Sequence, residues 1–167
     1  MQAAPAVNVF VDTNVIVYAH DRTDPAKRER AQALLEAHAL DGSLTVSTQV
    51  LQETYKVLIR RALVEPERAL FAVEKLAASR VVGSNANFVL DALRVSQRFQ
   101  LSVWDALIVQ AALAARCTTL FTEDMQAGQR FGELEIVNPF DNAVHAPRAA
   151  WPAAAAKKAA RKRPATR

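Results

Sequence analysis

Short apolar runs rich in β-branched residues alternate with helical patterns along the chain, and this alternation limits the fold more than any other feature. Val7 to Val11, Leu44 to Val46, Val81-Val82, Thr118 to Phe121 and Leu134 to Val137 read as strands. Between them lie helical segments with recognisable starts. Asp24 caps a helix with Pro25 at its first position, Ser47 caps the next, Pro66 opens a third, and Asn87 to Phe99 forms a fourth. Their expected inward faces are Leu34 and Leu35; Val50, Leu51, Tyr55, Val57 and Leu58; Leu70, Phe71, Val73 and Leu76; and Val89, Leu90, Leu93 and Val95. The helix following Ser102, Trp104 to Ala115, is apolar nearly all round and is expected to be a central, buried element. Strand–helix alternation of this kind predicts an α/β sandwich around a small, mainly parallel sheet of about four or five strands. With hydrophobic residues at 51% but aromatics at 7%, Ala, Val and Leu must fill the core.

The net charge of +4 is unevenly distributed. Residues 1–147 carry 14 basic and 17 acidic side chains, a net −3, whereas residues 148–167 carry seven basic ones and no acid. We therefore divide the chain into a mildly acidic domain, 1–147, and a basic tail rich in Ala, Lys, Arg and Pro, 148–167, expected to be disordered. The lone Cys117 cannot form an internal disulfide, which suits a reducing compartment. No apolar stretch is long enough to span a membrane, and nothing before the first strand reads as a secretion signal, so a cytoplasmic location is expected.

The placement of four carboxylates is informative. Asp12 directly follows the first strand, and Asp124 follows a later strand within Thr122-Glu123-Asp124. In open parallel sheets, ligands bind outside the carboxyl ends of the strands. Glu53 and Asp105 lie inside apolar helices, where a charge is costly unless paired or bound to a metal. Each has a plainer reading as well. Asp12 and Asp124 can cap the segments that follow them, Asp105 stands three residues after Ser102 at capping-box spacing, and Glu53 can be a solvated residue near Lys56. Were the four to meet, each pair of charges about 5 Å apart would cost roughly 3 kcal/mol at an effective dielectric near 20. A divalent cation removes that cost, and oxygen ligands without His or Cys companions select Mg²⁺ or Mn²⁺. His20, His38 and His145 show no ligand spacing.

Four segments taken together, Val9-Phe10-Val11-Asp12-Thr13-Asn14-Val15, Gln52-Glu53-Thr54, Trp104-Asp105-Ala106-Leu107-Ile108 and Phe121-Thr122-Glu123-Asp124-Met125, resemble the PIN-domain family. More narrowly, they resemble the VapC-type toxins of bacterial type II toxin–antitoxin pairs. The likeness spans about Val7 to Phe140 with the motifs in family order. It implies a three-layer α/β/α sandwich and an Mg²⁺- or Mn²⁺-dependent endoribonuclease acting on single strands. It also carries over Asp12, Glu53, Asp105 and Asp124 as catalytic residues. Asp12, Asp105 and Asp124 would hold metal, with Asn14 bracing Asp12 and Thr122 orienting Asp124 or a phosphate oxygen. A homodimer and a small cognate antitoxin are the partners it implies. The tail is not part of the family pattern, and Glu123 adds a second carboxylate beside Asp124. Arg22, Arg60 and Arg61 are candidates for contacts to RNA phosphates, against an alternative as solvated surface residues.

Other readings compete. Asp12 could be the covalent nucleophile of a phosphatase or dehalogenase, but Asn14 stands where that chemistry usually has a second Asp, and no Lys is near the later acids in sequence. A non-catalytic binding module and an RNA-processing nuclease with no toxin role are the other two.

Overall fold

The computed structural model describes residues 7–141. The tail from Arg148, together with His145, lies outside the described residues. Helices flank both faces of a six-stranded sheet, forming the expected α/β/α sandwich. The strands are β1 (Val9–Val11), β2 (Leu44–Ser47), β3 (Arg80–Val82), β4 (Thr119–Phe121), β5 (Arg130–Phe131) and β6 (Leu134–Val137). The helices are α1 (Thr13–Tyr18), α2 (Pro25–Leu40), α3 (Thr48–Arg60), α4 (Pro66–Ala77), α5 (Ala86–Phe99) and α6 (Val103–Ala114). Strand order is β3-β2-β1-β4-β6-β5, and every pairing is parallel except β5 with β6. The chain moves outward from β1 through β2 to β3 and then returns to β1's other side as β4. The crevice where this direction reverses lies beyond the carboxyl ends of β1 and β4.

Local chemistry sets the boundaries. Asp24 accepts from the Lys27 amide at 3.0 Å with Pro25 opening α2, and Ser47 accepts from the Val50 amide at 3.3 Å to start α3. Asp41 ends α2, and Gly42 follows at φ +73°, a left-handed conformation that glycine adopts without strain. The core centres on Phe10, Val11, Val15, Ile16, Val46, Val50, Leu120, Leu134 and Ile136, all at most 1% exposed. Cys117 is buried with them and free. Among the described residues, no helix is long and apolar enough to cross a membrane.

Several sequence expectations require correction. The sheet has six strands, not four or five, because β5 is a two-residue strand folded back on β6 through Gly132 at φ +61°, too short to show a period. In α4, Leu70 and Phe71 are 51% and 57% exposed, and the buried residues are Ala69 and Leu76. In α5, Val89, Leu90 and Leu93 face solvent, while Ala92 is buried and Phe88, Val95 and Phe99 pack on the core. Tyr55 of α3 is also exposed. Finally, α6 is not buried all round: Ala106, Ile108, Val109, Ala111 and Ala112 are covered, whereas Val103 and Trp104 project from its first turn.

Thr54 is fully buried on α3, and its Oγ1 has no hydrogen-bond partner. An unpaired buried hydroxyl costs about 1–3 kcal/mol. Thr54→Val, nearly isosteric, should therefore be neutral or stabilising by up to about 1 kcal/mol in urea denaturation. Clear destabilisation would mean that this hydroxyl has a partner.

Candidate active site

The carboxyl ends of β1 and β4 lie side by side because the strands pair in register, Val11 opposite Phe121. The amide of Asp12 continues the ladder, donating to Phe121 O at 3.0 Å, so Asp12 is fixed as the chain leaves the sheet for α1. It is 7% exposed. Its two oxygens have different tasks. Oδ1 accepts from the Thr13 amide at 2.7 Å, which is the capping role its position suggested. Oδ2 accepts from Thr122 Oγ1 at 2.8 Å and from Asn14 Nδ2 at 3.1 Å.

Asn14 lies one residue into α1 and spans the crevice. Its Nδ2 also faces Thr122 Oγ1 and Asp124 Oδ2, each at 2.9 Å, and its Oδ1 accepts from the Glu123 amide at 3.3 Å. Thr122, fully buried, accepts in turn from the Asp124 amide at 3.1 Å. The Thr122 hydroxyl thus orients Asp12 directly, and Asp124 only through its backbone.

Glu53 reaches the same cavity from α3. Thr13 Oγ1 donates to its Oε2 at 3.2 Å and Gln49 Nε2 to its Oε1 at 3.1 Å. It is therefore not simply a solvated residue near Lys56. Asp105 enters from α6. Ser102 Oγ accepts from its amide at 3.1 Å and donates to its Oδ2 at 2.7 Å, so the capping reading is realised at the same position. Asp12, Glu53, Asp105 and Asp124 all line one open cavity of about 340 Å³, together with Thr13, Asn14 and Glu123. His20 and His38 do not line it.

The electrostatics follow from this convergence. Burial, which disfavours the charged form, pushes the Asp12 carboxyl up to about 6 from its ordinary 3.8. Hydrogen bonds from Thr122 and Thr13 oppose the shift, and the charges of Asp124 and Glu53 add to it. Another carboxylate on the cavity, Glu123, has a cationic partner. Lys27 Nζ on α2 donates to Glu123 Oε2 at 2.6 Å and to Tyr18 Oη at 3.0 Å, lying over the Tyr18 ring. Glu123 is thereby neutralised and tied to α2, leaving Asp124 the less encumbered of the pair. It also means that a lysine does stand beside a later acid, contrary to what sequence proximity suggested. Lys27 and Glu123 are 96 positions apart, so local sequence carries no sign of the pair. Thr13, 40 positions from Glu53, is hidden in the same way, whereas Gln49 is a local partner. The i,i+4 spacing of Gln49 and Glu53 was the one available clue.

Among the described residues, no three of His, Cys, Asp or Glu are set to grip a single ion: Asn14 separates Asp12 from Asp124, and Ser102 holds Asp105. In kind, however, the donors fit a hard divalent cation. They are five carboxylates on one cavity, Glu123 among them already paired with Lys27, with no imidazole or thiolate, and Asp12 is buried with its proton affinity raised.

Comparisons with known proteins agree with this architecture. The fold resembles a toxin–antitoxin complex from Klebsiella pneumoniae at TM-score 0.59 and 17% identity, covering 79% of this chain and 98% of that one. It resembles VapC20 of Mycobacterium tuberculosis, a sarcin-ricin loop cleaving toxin, at TM-score 0.55 and 22% identity, over 68% of this chain and 87% of that one. VapBC2 from Rickettsia felis, bound to a promoter DNA fragment, follows at TM-score 0.55 and 18% identity, over 77% and 96%. No curated protein matches the chain in sequence. The profile described as PIN domain matches residues 9–130, from the first strand past the Asp124 loop, and with the crevice at β1 and β4 inside that span, the chain belongs to the PIN domain family.

Proposed function

We propose that the chain is an Mg²⁺- or Mn²⁺-dependent endoribonuclease hydrolysing RNA phosphodiester bonds, and the toxin of a type II toxin–antitoxin pair. The observation that carries this reading is the convergence of Asp12 and Asp124, just past the ends of β1 and β4, with Glu53 of α3 and Asp105 of α6 on one cavity at the switch point of the sheet. Asp12, Asp105 and Asp124 would hold the cation, Asp105 by turning from Ser102. A divalent ion held there would supply a lowered pKa for bound water and positive charge to offset that developing on phosphorus. Glu53 accepts a proton from the attacking water, with Thr13 and Gln49 fixing its carboxylate. Asn14 and Thr122 hold the Asp12 carboxylate in place through Oδ2. The Lys27–Glu123 pair keeps the Asp124 loop against α2.

A cognate antitoxin and a homodimer belong to the same reading. The similar folds include toxin–antitoxin complexes, and Leu70, Phe71, Leu90 and Leu93 are apolar side chains left at the surface. Induced expression should arrest growth of a bacterial host, and co-expression of the short open reading frame beside the gene should relieve it. The purified protein should cleave single-stranded RNA with Mg²⁺ and stop in EDTA. Cleavage without growth arrest would favour an RNA-processing nuclease. Cleavage undiminished by EDTA would contradict the metal-dependent mechanism.

A further inference from the structure

Four residues of α3 and its C-terminal cap, Gln49, Glu53, Val57 and Arg61, line the acidic cavity at four-residue spacing. They form a stripe about 18 Å long at 1.5 Å per residue, with Arg61 some 12 Å along the axis from Glu53. Arg61 is the one basic residue that lines the cavity among the described residues. Neither Arg22 nor Arg60 does so.

Arg61 is not a loose surface side chain. Its Nη2 donates to Asp21 Oδ2 at 2.8 Å, and the Asp21 side chain is only 2% exposed while that of Arg61 is 46% exposed. The other oxygen of Asp21 accepts from Thr23 Oγ1 at 2.6 Å and from the Thr23 amide at 2.9 Å. The backbone of Arg61 is fixed too: its amide donates to Val57 O at 3.0 Å, and Ala62 turns left-handed at φ 51° to end the helix. A buried carboxylate therefore anchors one edge of a planar guanidinium and leaves the rest half-exposed at the cavity wall. Unanchored, an arginine on the wall of a cavity lined by five carboxylates would fall toward them and compete with a cation. The Asp21 anchor prevents that and presents the free N–H groups to an incoming anion.

The geometry points to Arg61 as the residue that binds a phosphate of the RNA strand flanking the one cleaved, with Asp21 as its positioning residue. This assignment rests on the nuclease reading. Its distance from Glu53 along α3 places the contact away from the bond broken, so Arg61 contributes to strand binding and not to the chemical step.

The test is steady-state cleavage of a fluorogenic single-stranded RNA between about 50 and 200 mM KCl. Arg61→Met should raise KM about ten-fold and leave kcat within two-fold. It should also reduce the slope of log(kcat/KM) against log[KCl] by about 0.7, the value for one lost single-strand phosphate contact. Arg61→Lys should restore the slope with only part of the affinity. Because Arg61→Met strands a buried charge, the double variant Asp21→Asn/Arg61→Met serves as a second measurement and should show the same slope loss. Calorimetric Mn²⁺ affinity should be unchanged in both variants. Parallel salt slopes for the parent and both variants would overturn the assignment and leave the nuclease reading standing. A parent protein without metal-dependent cleavage would overturn that reading and the assignment with it.

Discussion

Asp12→Asn is expected to lower metal-dependent RNA cleavage on the order of 10³-fold or more, and to weaken Mn²⁺ binding, without unfolding the protein. The fold survives because the amide oxygen can still accept from the Thr13 amide and so keep the start of α1. What is lost is the anionic oxygen at Oδ2, to which Thr122 donates and which Asn14 braces. Neighbouring substitutions sharpen the expectation. Asp124→Asn should lose Mn²⁺ affinity, since Asp124 faces the cavity with Asn14 as its side-chain partner. Glu123→Gln should keep most of it, since Glu123 is already neutralised by Lys27. Calorimetric titration with Mn²⁺ and circular dichroism on the same samples separate loss of the site from loss of the fold. An Asp12→Asn protein that cleaves RNA at the parent rate would remove Asp12 from the mechanism. Equal losses for Glu123→Gln and Asp124→Asn would mean that both carboxylates serve the metal.

Much of this site was legible because its parts announce themselves locally. An aspartate that ends a β-branched run is visible in Val9-Phe10-Val11-Asp12, and strand–helix alternation brings the first strand and a later one together at a switch point. Helix starts were equally readable, because Ser47, Asp24 and Ser102 each bond to the amide three positions further on. Harder to read was the phase of the helices. In α5 two apolar stripes compete: Phe88, Ala92, Val95 and Phe99 turn inward, while Val89, Leu90 and Leu93 share the opposite face. Periodicity detects an amphipathic helix but not which of two apolar faces meets the sheet. Illegible altogether were pairs joined only by the fold, such as Lys27 with Glu123 and Arg61 with Asp21, 96 and 40 positions apart.

The same buried carboxylate should make the stability of the metal-free protein fall as pH rises from about 4 to 6. Asp12 binds its proton more tightly in the fold than in the unfolded chain, about 6 against 3.8. Below 3.8 both states are protonated. Between the two values the folded chain holds the extra proton, so raising the pH favours unfolding, and the loss is complete above about 6. Two units correspond to about 3 kcal/mol, or on the order of 10 °C in Tm for a chain of this size. Other groups shape the profile. His20 is depressed by burial and by Arg28, so its contribution is present above its unfolded value and is lost as pH falls through its folded one. Asp21 and Asp41 are lowered chiefly by hydrogen bonds from Thr23 and Ser43, and their stabilisation is lost only below the ordinary carboxylate range. The difference between parent and Asp12→Asn therefore isolates Asp12. In EDTA the two should melt together near pH 4, and the variant should melt several degrees higher at pH 7.5. Saturating Mg²⁺ at pH 7.5 should restore the parent by about 2.7 kcal/mol at one hundred times its Kd and leave the variant nearly unmoved. Thermal scans at pH 4 to 8, with EDTA or Mg²⁺, give all four arms. If the parent and Asp12→Asn melt in parallel across that range, burial does not hold a proton on Asp12. If Mg²⁺ then stabilises both equally, the ion binds without that carboxylate.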